Sequence, residues 1–167
     1  TGFVGMSFAY SLLSEKGINE LVLIDMNKDK AVGEQMDLSD GLPYADSKMT
    51  IKAGEYEECG DADIVVITAG AAQKPGQTRL ELVGINARIT KDVATQVKNS
   101  GFKGILVVAS NPVDIMTYVA YKASGLPKEH VIGSGTILDT ARLRYNISKR
   151  LGMAPSNVHA YILGEHG

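Results

Sequence analysis

The chain has 167 residues, of which 44% are hydrophobic and 22% are charged, a composition typical of a soluble globular protein with a core of its own. Its net charge of -2 provides no positive field to hold nucleic acid or an anionic membrane. No apolar run reaches the roughly 18 residues of a membrane span. A single cysteine, Cys59, excludes an internal disulfide, which fits a reducing cytoplasm.

Short apolar runs alternate along the chain with segments of helical pattern, which predicts βαβ units and a parallel sheet. Because the apolar runs are continuous, they are typical of strands covered on both faces. Polar or glycine-containing residues follow them, at the sheet edge where α/β proteins bind ligands. In chain order, we predict helices over residues 6–15, 28–38, 79–99, 113–123 and 139–151, and strands over residues 21–24, 63–69, 105–109 and 131–132.

The loop 70–78, between a predicted strand and the longest helix, contains both glycine and proline. Such a loop either hinges over a binding site or is an ordinary surface connection. Composition favours neither interpretation.

The first five residues match the last part of the dinucleotide-binding pattern G-x-G-x-x-G. There Gly2 would let the backbone approach a pyrophosphate, and Gly5 would let the following helix pack against the sheet. Asp25 follows the next predicted strand, where a carboxylate accepts hydrogen bonds from ribose hydroxyls and repels the 2′-phosphate of NADP. The pattern favours NAD as cofactor. The alternative is that Asp25 only caps the helix predicted to begin at Lys28.

The first glycine of that pattern and the strand before it are missing from the sequence, which also stops one residue after His166. In a doubly wound sheet the first strand lies at the centre, so its neighbours should lose a ladder partner. We therefore expect the chain to be part of a longer polypeptide. Alone, it should not melt in one sharp cooperative transition.

Three residues near the end of the chain have the chemistry needed to reduce a 2-keto acid. His166, after an apolar strand-like run, would donate a proton near neutral pH, and Asp139 would orient the imidazole and favour its charged form. Arg142, which shares a helix face with Asp139, would bind a substrate carboxylate, and its apolar neighbours predict that it is buried. The alternatives are a structural histidine and an exposed ion pair of little value.

Six motifs, taken in order, resemble the lactate/malate dehydrogenase family over essentially the whole chain. The resemblance implies an α/β fold: a Rossmann doubly wound parallel sheet without its first strand in residues 1–135, then the start of an α+β substrate domain in residues 136–167. It also implies NAD and a homo-oligomer. The motifs are residues 2–5 (G-F-V-G), 67–70 (I-T-A-G), 73–80 (Q-K-P-G-Q-T-R-L), 111–114 (N-P-V-D), 133–142 (G-S-G-T-I-L-D-T-A-R) and 164–167 (G-E-H-G).

The resemblance also implies roles for individual residues. Arg79 would polarise the ketone when the loop closes, and Asn111 would contact both nicotinamide and substrate. Ser134 would lie beside the nicotinamide, and the Asn111-Pro112 peptide bond would be cis, as it is in this family. The other implied cofactor contacts are Gly2, Phe3, Val4, Gly5, Asp25, Thr68, Ala69, Gly70 and Asn86.

Gln73 favours the L-lactate dehydrogenases within the family, because malate dehydrogenases carry an Arg here that pairs with the second carboxylate of oxaloacetate. Leaving that carboxylate unpaired in a closed pocket costs on the order of 2–5 kcal/mol, roughly a hundredfold or more in selectivity. We therefore expect pyruvate and L-lactate as substrates. Malate dehydrogenase, or another L-2-hydroxyacid dehydrogenase, is the alternative. An ordinary polar loop residue would explain the type of Gln73 but not its place in the motif.

Two further residues match an effector site. In bacterial relatives activated by fructose 1,6-bisphosphate, the positions of Arg144 and His159 bind phosphate between the subunits of a tetramer. A surface arginine and a strand histidine are the alternative. We assign no role to His130, no catalytic thiol to Cys59 and no metal site.

Two non-enzymatic classes compete with this interpretation: an NAD-sensing domain and an interaction fragment. Neither would need Arg79, Asp139, Arg142 and His166 together.

Overall fold

The computed structural model describes residues 1–72 and 75–167, except for the side chain of Arg79. The helices are α1 (Phe3–Leu12), α2 (Lys28–Gly41), α3 (Arg79–Asn99), α4 (Val113–Ser124) and α5 (Ile137–Leu151). The strands are β1 (Glu20–Leu23), β2 (Thr50–Ala53), β3 (Ile64–Ile67), β4 (Ile105–Val108) and β5 (Val131–Gly133). In the described part of the chain, no helix is long and apolar enough to cross a membrane.

The α/β fold predicted from the sequence is confirmed, with differences at particular elements. Helix α3 has the predicted bounds, whereas α1 begins three residues earlier than predicted, at Phe3. The sequence did not predict β2, and the apolar run before His166 is not a strand. Gln73, the residue that favours lactate dehydrogenase, lies outside the described residues.

All strand pairs are parallel. Strands β1 and β2 form one sheet, and β3, β4 and β5 form another in that spatial order. Among the described residues, β1 pairs only with β2, and β3 pairs only with β4. In the larger sheet Ile67, Val108 and Gly133 are register partners, so the three strands end together at one edge.

Each sheet has its own core. Helices α3 and α4 cover the larger sheet, and their buried residues pack with Leu106 and Val108 of β4, which have no exposed surface. Complete burial of one such aliphatic side chain contributes about 1.5–3 kcal/mol. The smaller sheet packs with α1 and α2 through Ala9, Leu13, Leu23, Leu38, Met49 and Ile51.

Gly104, just before β4, tests how tightly this core positions the strands. A Cβ added there would overlap the main-chain carbonyl of Asp63, whose oxygen accepts the ladder hydrogen bond from the Ile105 amide at 2.9 Å. In the whole protein, we expect Gly104→Ala to lower the free energy of unfolding by about 1–3 kcal/mol, measured by urea denaturation.

Gly33 in α2 provides the matched control, since a Cβ there would meet no atom within 4 Å. Because alanine is the better helix former, Gly33→Ala should raise the free energy of unfolding by up to about 1 kcal/mol. Equal effects of the two substitutions would contradict the packing described for Gly104.

Candidate active site

The carboxyl ends of β3, β4 and β5 bring part of the predicted cofactor residues to one edge of the sheet: Thr68, Ala69, Gly70, Asn111 and Ser134. The ladder continues beyond the strands, because the Ala109 amide donates to the Ile67 carbonyl at 2.9 Å and the Ser134 amide donates to the Val108 carbonyl at 2.8 Å. Segments 68–70 and 109–111 therefore lie side by side, with Ser134 next to them. The structure brings these predicted residues together.

Two buried polar side chains fix the loops at this edge. Asn86, which is 4% exposed, accepts a hydrogen bond from the Ala71 amide at 2.8 Å and donates one to the Asn111 carbonyl at 3.0 Å. Ser110 donates to the Ala69 carbonyl at 2.6 Å. The Asn111-Pro112 peptide bond is cis, as the resemblance implied. Sequence reasoning missed Ser110, although it lies in the polar segment that follows β4.

The N-terminal turn of α1 is suited to bind an anion. Gly2 caps the helix, and the Gly2 carbonyl accepts the hydrogen bond from the Met6 amide at 2.9 Å, so the amides of residues 3–5 have no helical acceptor. Within the described residues, no side chain caps this turn and no acidic residue lies in it. Free amides at a helix N-terminus favour phosphate groups.

Gly5 packs α1 against the end of β3, as predicted. A Cβ at Gly5 would lie 2.7 Å from the Thr68 hydroxyl oxygen, which is too close for a real contact. At Gly2 a Cβ would meet no atom within 4 Å, so the backbone there is open to a ligand. The neighbouring Phe3 and Val4 side chains are exposed.

Asp25 follows β1 and carries a negative charge at neutral pH. Burial alone would raise its pKa, but hydrogen bonds from the Thr1 hydroxyl at 2.6 Å and the Asn27 amide at 2.9 Å lower that pKa. Asn27 is the residue that caps α2, through its side-chain oxygen and the Lys30 amide. The alternative that Asp25 caps this helix is therefore wrong.

Together, these groups fit a dinucleotide. Free amides and an open glycine in the first turn of α1 match a pyrophosphate, and a carboxylate after β1 matches a ribose diol. The neighbouring edge residues would extend such a site along the sheet.

The predicted pair of His166 and Asp139 is present. The Nδ1 atom of His166 lies 2.6 Å from Oδ2 of Asp139, and the two side chains are 22% and 13% exposed. The hydrogen bond to His166 lowers the pKa of Asp139, against the opposing effect of burial and with a contribution from Arg142. Since Nδ1 is bonded to Asp139, Nε2 is the nitrogen available for proton transfer.

Arg142 differs from its prediction because its side chain is 62% exposed rather than buried. Its Nη1 atom lies 4.0 Å from Oδ1 of Asp139, the outer limit of an ion pair, and such a pair contributes little. The guanidinium is therefore accessible to an incoming carboxylate.

The segment that carries His166 is held by side chains that sequence reasoning missed. Two threonines bond to the main chain of Ile162: Thr136, the N-cap of α5, and Thr140 within that helix. The Thr136 hydroxyl donates to the Ile162 carbonyl at 2.6 Å, and the Thr140 hydroxyl accepts from the Ile162 amide at 3.0 Å. Asp114, in the first turn of α4, accepts from the His166 amide at 3.0 Å. The four-residue spacing of the threonines, on either side of Asp139, was a signal in the sequence.

Of the two residues predicted to bind an effector, Arg144 lies on α5 and His159 follows the turn at Pro155–Asn157. Arg144 is half-buried and donates to the Pro155 carbonyl at 3.4 Å, and His159 is exposed.

The His130 ring, to which no role was assigned, lies near the main-chain carbonyl of Lys103. Burial, with the nearby glutamates, raises the pKa of the Cys59 thiol. The described residues contain no group of three or more side chains suited to a metal ion.

Comparison with known proteins gives the family. Residues 1–133 match the lactate/malate dehydrogenase NAD binding domain, and residues 136–167 match the lactate/malate dehydrogenase alpha/beta C-terminal domain. L-lactate dehydrogenase 2 of Enterococcus faecalis is 58% identical over all 167 residues, which cover 53% of that protein. The chain thus spans about half the length of the curated relatives it matches.

Two crystal structures are similar over the whole chain, which covers 53% of each. A lactate dehydrogenase from a Medee basin deep-sea metagenome library has a TM-score of 0.96 and 59% identity. The minor L-lactate dehydrogenase of Enterococcus mundtii, in its ligands-bound form, has a TM-score of 0.96 and 55% identity. With matches to both domains and a Rossmann-type fold, the chain belongs to the lactate/malate dehydrogenase family.

Proposed function

We propose that the whole protein is an NAD-dependent L-lactate dehydrogenase that reversibly reduces pyruvate to L-lactate. The hydrogen bond between Asp139 and His166, with the accessible Arg142 on the same helix, is the observation that carries this proposal. Relatives named L-lactate dehydrogenase, 54–59% identical to the chain, support it.

In the proposed reaction, the bound cofactor supplies a hydride and His166 supplies a proton. When bound, NADH supplies the hydride that adds to the carbonyl carbon of pyruvate. As the carbonyl π electrons move to oxygen, His166 transfers the proton on Nε2 to that oxygen, and the ketone becomes a neutral hydroxyl group. Asp139 holds the ring through Nδ1 and stabilises its positive charge before the transfer. In the reverse direction, neutral His166 accepts the proton.

Substrate orientation is assigned to two arginines. Arg142 would bind the pyruvate carboxylate with two parallel hydrogen bonds, for which its guanidinium is accessible. Arg79 is the first residue of α3, which a capping box of Thr78 and Glu81 fixes at this position. We propose that the Arg79 side chain polarises the ketone oxygen when the preceding loop closes.

The cofactor would lie along the sheet edge. The first turn of α1 would bind the pyrophosphate, and Asp25 would bind the ribose hydroxyls and exclude NADP by charge repulsion. Asn86 and the segments it bonds would line the middle of the site, and Asn111 and Ser134 the nicotinamide end. In this proposal residues 1–135 form the NAD-binding domain and residues 136–167 begin the substrate domain.

Three other proposals rest on resemblance. We propose a homotetramer, a cytoplasmic location, and activation by fructose 1,6-bisphosphate bound at Arg144 and His159. In support of the effector site, Arg144 lies on α5 and bonds the Pro155 carbonyl of the turn that leads to His159.

The first test of the function is substrate choice. With NADH, the whole protein should show a kcat/KM for pyruvate well above that for oxaloacetate. Gln73→Arg should lower this ratio roughly a hundredfold or more, because the new charge pairs with the second carboxylate of oxaloacetate. Gln77→Arg makes the same change in the same loop and should leave the ratio near its original value. A starting ratio below one would replace the lactate assignment with malate dehydrogenase.

The second test concerns the acid–base pair. The pKa of Asp139 is below its ordinary value of 3.8, so the stabilisation from its ionised form is complete above pH 3.8 and is lost as pH falls through the lower folded-state pKa. Carbon-13 NMR titration should show this depressed pKa, and His166→Gln should move it back towards 3.8. His159→Gln, the control, should not change it. An Asp139 pKa unaffected by His166→Gln would contradict the pairing.

The third test concerns the effector. Fructose 1,6-bisphosphate should lower the KM for pyruvate in the whole protein, and Arg144→Ala should abolish this effect because a phosphate loses its cation. Arg150→Ala removes the same charge from the far end of α5 and should keep the response. Steady-state kinetics across pH check this, and a complete lack of response at every pH would end the effector proposal.

A further inference from the structure

We propose that Asp114 is a positioning residue for His166, holding its main chain while Asp139 holds its ring. This inference rests on the proposed function, since it assigns His166 the proton transfer. Its basis is the hydrogen bond of 3.0 Å from the His166 amide to Oδ2 of Asp114, which joins residues 52 positions apart in sequence.

The two carboxylates bind His166 from different helices. Asp139 lies in the first turn of α5, and Asp114 lies in the first turn of α4. Helix α4 is anchored in the core of the larger sheet through Val113 and Met116, which are buried. It begins next to Asn111, whose carbonyl is bonded by Asn86 at the cofactor edge.

This arrangement fixes the position of His166 relative to both proposed reactants, the substrate and the nicotinamide. Asp139 fixes the ring relative to Arg142 on the same helix, and hence relative to the substrate carboxylate. Asp114 fixes the same residue relative to the sheet edge, and hence relative to the nicotinamide. Because hydride and proton must reach adjacent atoms of one carbonyl group, an error of about 1 Å in either direction costs up to roughly a hundredfold in rate.

The role of Asp114 is geometric rather than electrostatic, because its partner is a neutral main-chain amide. The charged groups near His166 are Asp139 and Arg142 on α5, Asp114 on α4 and the adjacent, exposed Glu165. A side-chain amide oxygen at position 114 can accept the same hydrogen bond without the charge. Asp114→Asn should therefore preserve His166 placement and the pH profile of kcat/KM.

Asp114 also lies where a negative charge stabilises a helix N-terminus, so a purely structural role must be separated from positioning. Asp29 in the first turn of α2 gives the matched control, since it is exposed and occupies the equivalent place on another helix. Asp114→Ser keeps a small polar side chain in the first turn of α4, but its hydroxyl is too short to reach the His166 amide.

The experiment compares Asp114→Ala, Asp114→Ser, Asp114→Asn and Asp29→Ala in the whole protein. We expect the Ala and Ser variants at position 114 to lower kcat for pyruvate by about tenfold to a hundredfold, with the Kd for NADH within about twofold of the original. Asp114→Asn should recover most of the kcat with an unchanged pH profile, and Asp29→Ala should match the original protein. If Asp114→Ala does not fold, the Ser variant carries the comparison.

Hydrogen exchange of the His166 amide, measured by NMR without substrate, gives a second readout independent of the reaction. Exchange should be faster with Ala or Ser at position 114 and slow again with Asn. Unchanged kcat and unchanged exchange in the Ser variant would overturn the proposal. An Asn variant whose kcat is as low as that of the Ser variant, with a shifted pH profile, would overturn it too. If the original protein reduces oxaloacetate instead of pyruvate, the proposed function fails, and the same comparison with oxaloacetate still tests Asp114.

Discussion

The parallel register of β3, β4 and β5 is the constraint on which the rest of the site depends. Ile67, Val108 and Gly133 lie in one row, so the segments that follow them end at the same edge. A slip of one residue would turn Leu106 and Val108, both fully buried, to the opposite face. Their burial therefore fixes the register, and the register brings Thr68 and Ser134 to one edge.

His166 depends on a different kind of support, because no regular element carries it. Thr136 and Thr140 hold the main chain of Ile162, and two carboxylates hold His166 itself. Each such hydrogen bond contributes only about 0.5–1.5 kcal/mol net, or more where one partner is charged. Several bonds from two helices can nevertheless define one orientation, as the proton transfer proposed for His166 requires.

The sequence predicted the features that local chemistry determines. Continuous apolar runs located four strands, whereas β2 was missed because Ile51 is its one buried residue and its neighbours are exposed and polar. The prediction that Arg142 is buried was wrong because its apolar neighbours Ile137 and Leu138 are themselves exposed. The bond between Asp114 and His166 joins distant segments, and neither residue type nor spacing indicates it.

Asp139 is shared unequally between the His166 imidazole and the Arg142 guanidinium. Asp139 bonds His166 at 2.6 Å but lies 4.0 Å from Arg142, so its charge is directed mainly to the imidazole. A tight ion pair with Arg142 would occupy the guanidinium proposed to bind the substrate carboxylate and would draw Asp139 away from the imidazole. In the proposed reaction, a substrate carboxylate bound to Arg142 would leave Asp139 directed to His166, the ring assigned the proton transfer.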